Sequence, residues 1–515
     1  MPTPAEKLAE SLQELQKLQK QNIVAIKSEM LSRTHRERLL KQNFIEEVFK
    51  GWYIATLPDS PRGDTTTWYS QYWEFCSQYF NDRFASEWCI APEQSLMIHA
   101  GNTTVPTQLM IRSPHASNNI LPLIGKTSVF MLRADMPGNN ELLYQNGLRL
   151  YTLPASLVRC SANTLTRDPI DARTALSLIR DASEILPILL DGGHTVIAGR
   201  VAGAFQNIGK NRIAEDIISS MRAADYEAVA TDPFQETSPV LFNSRTRSPY
   251  ESRIKLMWEK MKPEVLEAFP AQPGIPKDKK SYLAKVDQLF TTDAYHSLSI
   301  EKYKVTPELI EKVKSGEWNI KENEEDRKQR DAMAAKGYLE AFKIVEQSIA
   351  KILDGANAGE VADVDHGKWY RELFGPSVTS GILKASDLAG YRTHQVYIGN
   401  SMHTPLNVEA VRDAMPVLFE LLTNETEASV RAVLGHFIFV FIHPYGDGNG
   451  RMGRFLMNVM LASGGYPWTV IPVEQREKYM QALESASVKG DIKPFAAFIA
   501  HQVEMTMKGK PEARI

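Results

Sequence analysis

Between two apolar segments, the stretch FIHPYGDGNGRMGRFL (residues 441–456) places a histidine, an aspartate, an asparagine and two arginines among glycines. Glycines just before a helix let backbone amides converge on one spot. Those amides and the positive end of the helix dipole form an anion cradle. Arg451 and Arg454 are three residues apart and so share one helical face. Two guanidiniums above an amide cradle suit a polyphosphate better than a single carboxylate. Asp447 offers a hard oxygen for Mg²⁺, which usually accompanies nucleotide phosphates. His443, at the mouth, can take a proton from an attacking hydroxyl. A plain glycine turn beside a structural histidine is the bland alternative, and it leaves the other polar types unexplained.

Two elements must hold these groups. Upstream, ASVRAVLGHFIFVFI turns Val430, Val433, Leu434, Phe437, Ile438 and Phe441 to one side, as a core helix does. Pro444 lacks a backbone donor and disfavours helix before it, so that helix is expected to end near His443. Downstream, RMGRFLMNVMLAS reads as a second helix with Phe455, Leu456, Val459 and Met460 inward. The loop YGDGNG then lies directly before a helix N-terminus.

HPYGDGNGRMGR resembles the signature of the Fic family, most of whose members transfer AMP from ATP to a protein hydroxyl. Tyr445 stands where phenylalanine is commoner and keeps an aromatic anchor. The resemblance implies an all-α catalytic region over about 250–510 and roles for its residues. His443 would deprotonate a target Ser, Thr or Tyr, and Asp447 would hold Mg²⁺. Asn449 and the amides of Gly448 and Gly450 would hold the α and β phosphates. Arg451 would assist, and Arg454 would clamp the γ phosphate.

DLAGYRTHQVYIGNSMHTPLN resembles the family's β-hairpin flap, with Val396, Tyr397, Ile398 and Gly399 as the edge that pairs with a target peptide and shields the nucleotide. Tyr479 falls where the family commonly puts a tyrosine against the base; a core or surface tyrosine is the alternative. YHSLSIEKYKVTPELI resembles the inhibitory helix of some members, here near 291–302. Ser297 and Glu301 fit its pattern, and Lys302 replaces the usual glycine or asparagine. In the family this glutamate pairs with the second motif arginine and denies it to the γ phosphate. Thr306-Pro307-Glu308 is a strong start for the next helix.

The chain has 515 residues, 43% hydrophobic and 23% charged, with net charge -3. That length predicts several domains, and the charge excludes bulk attraction to nucleic acid or membrane. Cys76, Cys89 and Cys160 lack metal-ligand spacing and fit small buried thiols in a reducing compartment. The N-terminus has no signal-peptide core, and no run is long enough to span a membrane. A cytoplasmic protein without membrane contact is expected.

Residues 1–57 read as an amphipathic helix (Leu8, Leu12, Leu15, Leu18), a short helix around Ile26–Leu31, a basic helix around Thr34–Gln42 and a strand pair carrying Phe44, Val48, Trp52 and Ile54. This is a winged helix-turn-helix layout. Arg33, Arg36, Arg38 and Lys41 are candidate DNA contacts, against a solvated helix face diluted by Glu37, Glu46 and Glu47. The wording also resembles the N-terminal module of antitoxin-type regulators from abortive-infection systems. Residues 58–231 read as a mixed α+β domain of unknown role. There IGKTS lacks the first glycine of a phosphate-binding loop, with Ile120 in its place, and Gly199 and Gly203 suggest close helix packing. Residues 232–249 read as a linker, and the charge-dense segment from Lys314 to Lys336 as a solvated connection and helix face.

The expectation is a multidomain protein: winged helix-turn-helix, α+β middle domain and all-α Fic fold with a β-hairpin flap. It would adenylylate an unnamed target protein with Mg-ATP, restrained by Glu301. AMP removal or another nucleotidyl or phosphoryl transfer is the alternative within catalysis. A DNA-binding regulator whose Fic half senses nucleotide is the alternative outside it. A homodimer is left open.

Overall fold

The computed structural model describes residues 3–58, 64–242, 248–317 and 326–515. They fall into two compact units, Met1–Arg253 with Tyr397–Thr404, and Ile254–Val396 with Pro405–Ile515.

The first unit opens with α1 (Pro4–Lys20), started by a capping box in which the Thr3 hydroxyl and the Glu6 carboxylate satisfy each other's backbone N–H. β1 (Ile26–Lys27), a 3₁₀ turn (Ser28–Met30), α2 (Arg33–Lys41), β2 (Ile45–Phe49) and β3 (Trp52–Ala55) follow, with sheet order β1-β3-β2. Leu15, Ile26, Leu31, Leu39, Ile45 and Tyr53 form their shared core. Of the short helix expected around Ile26–Leu31 only the 3₁₀ turn forms. Ile26 pairs with Tyr53 across the sheet and is fully buried, and only four residues remain before the Ser32 cap of α2.

The aromatic-rich segment forms α3 (Thr66–Phe84), whose Trp68, Tyr72, Phe75 and Phe80 are buried. β4 (Cys89–Ile90), α4 (Pro92–His99), β5 (Gln108–Ser113), β6 (Asn119–Pro122) and β7 (Ser128–Arg133) come next, in sheet order β4-β5-β7-β6, with β5 and β7 parallel. Gly125 and Lys126 of IGKTS both have positive φ and make the turn between β6 and β7. A hairpin, β8 (Leu142–Gln145) and β9 (Leu148–Tyr151), leads into α5 (Leu153–Arg159), α6 (Ala162–Arg167), α7 (Pro169–Leu178), α8 (Leu186–Asp191), α9 (Thr195–Asn207) and α10 (Asn211–Ala223).

Gly199 and Gly203 on α9 do not seat another helix. A Cβ at Gly199 would lie 2.2 Å from the Val229 carbonyl oxygen, and one at Gly203 2.2 Å from that of Thr231. The glycines admit an extended strand of backbone, and the Thr231 N–H donates to the Gly199 carbonyl at 2.9 Å. The proline- and serine-rich stretch read as a linker continues this strap. Arg173 donates to the Glu236 carbonyl, Phe234 lies against its guanidinium, and Phe242 is buried. Residues 243–247 of that stretch lie outside the described residues.

The second unit is helical: α11 (Pro249–Ala268, begun in the first unit), α12 (Lys279–Gln288), α13 (Phe290–Ile300), α14 (Pro307–Ser315), α15 (Asp326–Leu353), α16 (Ala358–Thr379), α17 (Val408–Asn424), α18 (Ala428–Ile442), α19 (Asn449–Ala462), α20 (Arg476–Lys489) and α21 (Lys493–Met507). The charged connection falls partly on residues 318–325, outside the described residues. α18 is buried on nearly every face and packs against α17, α19, α20 and α21. A helix apolar all round belongs in a core. α19 crosses it closely, since a Cβ at Gly453 would meet Val440 at 2.9 Å. No helix among the described residues is long and apolar enough to cross a membrane.

The expected flap hairpin has no ladder of its own. Among the described residues Gln395–Ile398 pair in no strand, Gly399 and Asn400 make a turn, and an isolated bridge joins His403 to Thr104. The Asn400 N–H instead donates to the Thr66 Oγ1 at 3.1 Å, and its Oδ1 accepts the Thr65 N–H at 3.0 Å.

Candidate active site

The loop between α18 and α19 is shaped by three residues. His443 ends α18 in the left-handed region, at φ 56° and ψ 61°. Tyr445 is buried and stacks on Tyr370 with ring centroids 3.8 Å apart. Asn449 is also buried. Its Oδ1 accepts the Tyr445 N–H at 2.9 Å, and its Nδ2 donates to the Tyr445 carbonyl at 2.8 Å. The side chain expected on phosphate is therefore used to close the loop. Gly448 caps α19 at φ 82°, and a Cβ there would lie 2.7 Å from the Phe374 ring. By helix geometry the N–H groups of Asn449, Gly450 and Arg451 have no carbonyl partner within α19.

Arg454 is 3% exposed and held by α13. Its Nε donates to the Ser297 Oγ at 2.8 Å and its Nη2 to the Ser297 carbonyl at 3.0 Å and to Glu301 Oε1 at 2.8 Å. Burial acts against the Arg454 charge, and its surroundings, Glu301 foremost among them, more than offset it. The same Glu301 oxygen would lie 2.2 Å from a Cβ on Gly450. Its carboxylate thus occupies the first turn of α19, where the dipole favours an anion. Arg454 Nη1 is buried and has no hydrogen-bond partner among the described residues.

The end of α13 explains how Lys302 replaces a glycine. Lys302 adopts φ 65°. The Tyr303 N–H donates to the Leu298 carbonyl and the Lys302 N–H to the Ser299 carbonyl, a Schellman cap. The reversal that glycine would ease is made by lysine, at some strain.

Arg451 is 1% exposed. Its guanidinium lies over the rings of Tyr303 and Phe374, at 5.1 and 4.9 Å from their centroids. Asp447 Oδ2 is 3.4 Å from Nη2, an ion pair too long for a good hydrogen bond, and Nη2 and Nε have no hydrogen-bond partner among the described residues. The Asp447 side chain is 65% exposed. Among the described residues no group of three or more His, Cys, Asp or Glu side chains is placed to hold a metal ion. One carboxylate beside a phosphate cradle nevertheless fits Mg²⁺, which commonly takes one or two carboxylates and completes its shell with phosphate and water oxygens.

His443 Nδ1 is 3.2 Å from the Val440 carbonyl. A carbonyl only accepts, so Nδ1 carries the proton and Nε2 keeps its lone pair. Desolvation drives the imidazolium down to about 4, against the pull of the Val440 carbonyl, so the ring is neutral at pH 7.

His443, Asp447, Gly448, Gly450, Arg451, Arg454, Ser297 and Glu301 are thus brought together. Tyr479 is buried close to Arg454 and Glu301, both of which act on its hydroxyl. It is 1% exposed, its hydroxyl is 2.8 Å from His436 Nε2, and Phe495 and Phe498 flank its ring. Tyr397, Ile398 and Gly399 group with the first unit, and Val396 with the second. On α2, Arg36 donates to the Ser28 carbonyl, and Arg38 donates to the Lys7 carbonyl at 2.6 Å and to Ser11. Arg33 is exposed and paired with Glu37 at 2.7 Å, and Lys41 is exposed.

Spacing alone did not disclose Arg392, Tyr303, Phe374 and Asp293. Arg392 is buried and ties the loop in place. Its Nε donates to the His443 carbonyl at 2.8 Å, its Nη1 to His394, its Nη2 to Leu406, and its own N–H to the Pro444 carbonyl. A lone arginine in a small-residue stretch was the only signal. Asp293, one turn before Ser297, is buried and accepts the Tyr338 hydroxyl at 2.7 Å, and burial raises its carboxyl to about 6.

Residues 367–461 match the sequence model described as the Fic/DOC family. Over 121 residues the chain is 40% identical to "Protein adenylyltransferase Fic" of Drosophila willistoni, covering 23% of this chain and 24% of that protein. It is 34% identical to "Protein adenylyltransferase fic-1" of Caenorhabditis elegans over 121 residues, 23% of each. The chain thus spans about a quarter of the length of these curated relatives. Among solved structures, a fragment of Fic-1 from C. elegans covers 66% of this chain and 87% of its own, at TM-score 0.38 and 17% identity. A Fic-domain signalling protein from Bacteroides thetaiotaomicron covers 49% and 94%, at TM-score 0.34 and 18% identity. Within its C-terminal half the chain is thus similar to the Fic/DOC family and to proteins named as adenylyltransferases.

Proposed function

We propose that this chain transfers AMP from ATP to a Ser, Thr or Tyr hydroxyl of a protein and that Glu301 restrains the transfer. One observation carries the reading: two buried arginines with unpaired donors flank a helix N-terminus, now faced by the Glu301 carboxylate, beside a histidine whose Nε2 is unprotonated. His443 Nε2 takes the proton of the target hydroxyl. The hydroxyl oxygen forms a bond to the α phosphorus, the α–β bridge breaks, and pyrophosphate leaves. Arg451 and the first-turn amides hold the α and β phosphates, and Arg454 takes the γ phosphate once Glu301 withdraws. Asp447 is the residue that would hold Mg²⁺, which would neutralise charge on the phosphates. Asn449 acts by closing the loop that aims those amides.

The test is purified protein with ATP labelled on the α or on the γ phosphate, and mass spectrometry of the modified protein. Label from the α position, with a mass gain of one AMP, supports the reading. Label from the γ position assigns phosphoryl transfer instead, and loss of AMP from a modified target assigns removal.

For the N-terminal module we propose that any DNA contact uses the exposed Arg33, Thr34 and Lys41. Arg36 and Arg38 support α2 from within.

A further inference from the structure

The residue after Lys302 touches the phosphate site by a route separate from Glu301. The Arg451 guanidinium lies over the Tyr303 ring, 5.1 Å from its centroid, and over the Phe374 ring, 4.9 Å from its centroid. The guanidinium of Arg330 on α15 also lies over the Tyr303 ring, at 5.5 Å. Tyr303 thus meets two cations, and Arg451 two rings. Arg451 is 1% exposed, so the attraction of its cation to the two rings is only weakly screened. The N–H donors of a guanidinium point along its plane. Nε and Nη2 lie in that plane without a hydrogen bond among the described residues. A buried guanidinium with an unpaired edge is an unfilled half of a two-point contact to an oxyanion.

Tyr303 is fixed by the cap of α13. Its N–H closes the Schellman turn on Leu298, and the same turn carries Glu301. One short segment thus places a carboxylate on Arg454 and an aromatic wall on Arg451.

We propose that Tyr303 is a positioning residue for polyphosphate. Its ring fixes the plane of Arg451 so that the Nε and Nη2 edge meets adjacent phosphate oxygens. The inference rests on the phosphate-site reading of Arg451 and deepens it. It also implies that movement of the α13 cap alters both arginines together, Arg454 losing its carboxylate and Arg451 its wall.

The experiment uses the full chain carrying Glu301→Gly, so that Arg454 is open, and measures calorimetric affinity for ATP, inorganic tripolyphosphate and adenosine. Tyr303→Met removes the ring and keeps the volume, and Tyr303→Phe keeps the ring. The expected result is a loss of about tenfold for ATP and tripolyphosphate in Tyr303→Met, near-parent affinity in Tyr303→Phe, and adenosine unchanged in both. Unchanged tripolyphosphate affinity in Tyr303→Met overturns the proposal, as does an equal loss for adenosine, which would mark general damage to the site. If Tyr303→Met does not fold, Phe374→Met removes the other ring and must show the same split between tripolyphosphate and adenosine; failure to show it overturns the proposal. A parent that binds none of the three overturns both this inference and the reading beneath it. A parent that binds tripolyphosphate in a Tyr303-dependent way yet transfers no AMP upholds the inference and overturns the proposed reaction.

Discussion

Glu301 Oε1 lies 2.8 Å from Arg454 Nη2, and the same oxygen crowds the Cα of Gly450 at the start of α19. One carboxylate therefore fills both halves of an anion site: the guanidinium and the helix terminus. Glu301→Gly should raise the rate of self-modification by about a hundredfold, because a phosphate chain held about an ångström out of line reacts that much more slowly. Addition of Arg454→Ala should abolish the gain. Equal rates in wild type and Glu301→Gly would show that the pair does not restrain the enzyme.

The same substitution leaves a buried cation without its partner, so Glu301→Gly should lower thermal stability without nucleotide. ATP at about a hundred times its Kd adds roughly 2.7 kcal/mol to any state that binds it. The ATP-induced rise in Tm should consequently be larger in Glu301→Gly than in wild type. A smaller rise would mean that Glu301 does not compete with the phosphates.

Lys302 holds a left-handed backbone that glycine adopts without strain. Lys302→Gly should stabilise the end of α13 by about 0.5–1 kcal/mol and raise Tm by roughly 1–3 °C, with the Glu301–Arg454 pair kept. A fall in Tm would show that the lysine side chain makes a contribution that its exposure conceals.

His443→Ala should lower AMP transfer by at least about a hundredfold and leave nucleotide affinity nearly unchanged. Desolvation depresses the His443 imidazolium to about 4, so the basic form persists well below the usual 6.5. Activity should thus be lost only as pH falls toward 4, seen as an acid limb in kcat/KM. A limb near 6.5 would place the ring in water.

Asp293 titrates in the opposite sense. Burial raises its carboxyl to about 6, above its unfolded value, so the folded chain binds the proton more tightly than the unfolded one. The penalty for its charge is absent below about pH 4, grows as pH rises and is complete above about 6. Asp293→Asn keeps an acceptor for Tyr338 and removes that penalty. The variant's Tm, relative to wild type, should increase between about pH 4.5 and 7.5, by the equivalent of roughly 1–3 kcal/mol. A pH-independent difference would refute the assignment.

What the sequence determined by itself was local. Glycine before a helix, arginines three apart, a proline after an apolar run and a threonine before Pro307 act within one or two turns. The hairpin of α18 and α19 and the start of α14 follow from them. The Ser297 and Glu301 pattern led to the helix that reaches Arg454 through its resemblance to the family's inhibitory helix, and the two residues, four apart, share a face of it. Tertiary structure decided what each side chain spends its polar atoms on. Asn449 and Tyr445 meet only because the loop folds back. Arg38 turns inward only because α1 presents the Lys7 carbonyl. Gly199 and Gly203 admit a strap that arrives from residues 229–232, and Tyr479 is enclosed by helices that lie on both sides of it in the chain. Such contacts join residues far apart in sequence, and no short period records them. Burial then sets their chemistry, since a donor enclosed away from water must take the acceptor that packing brings to it.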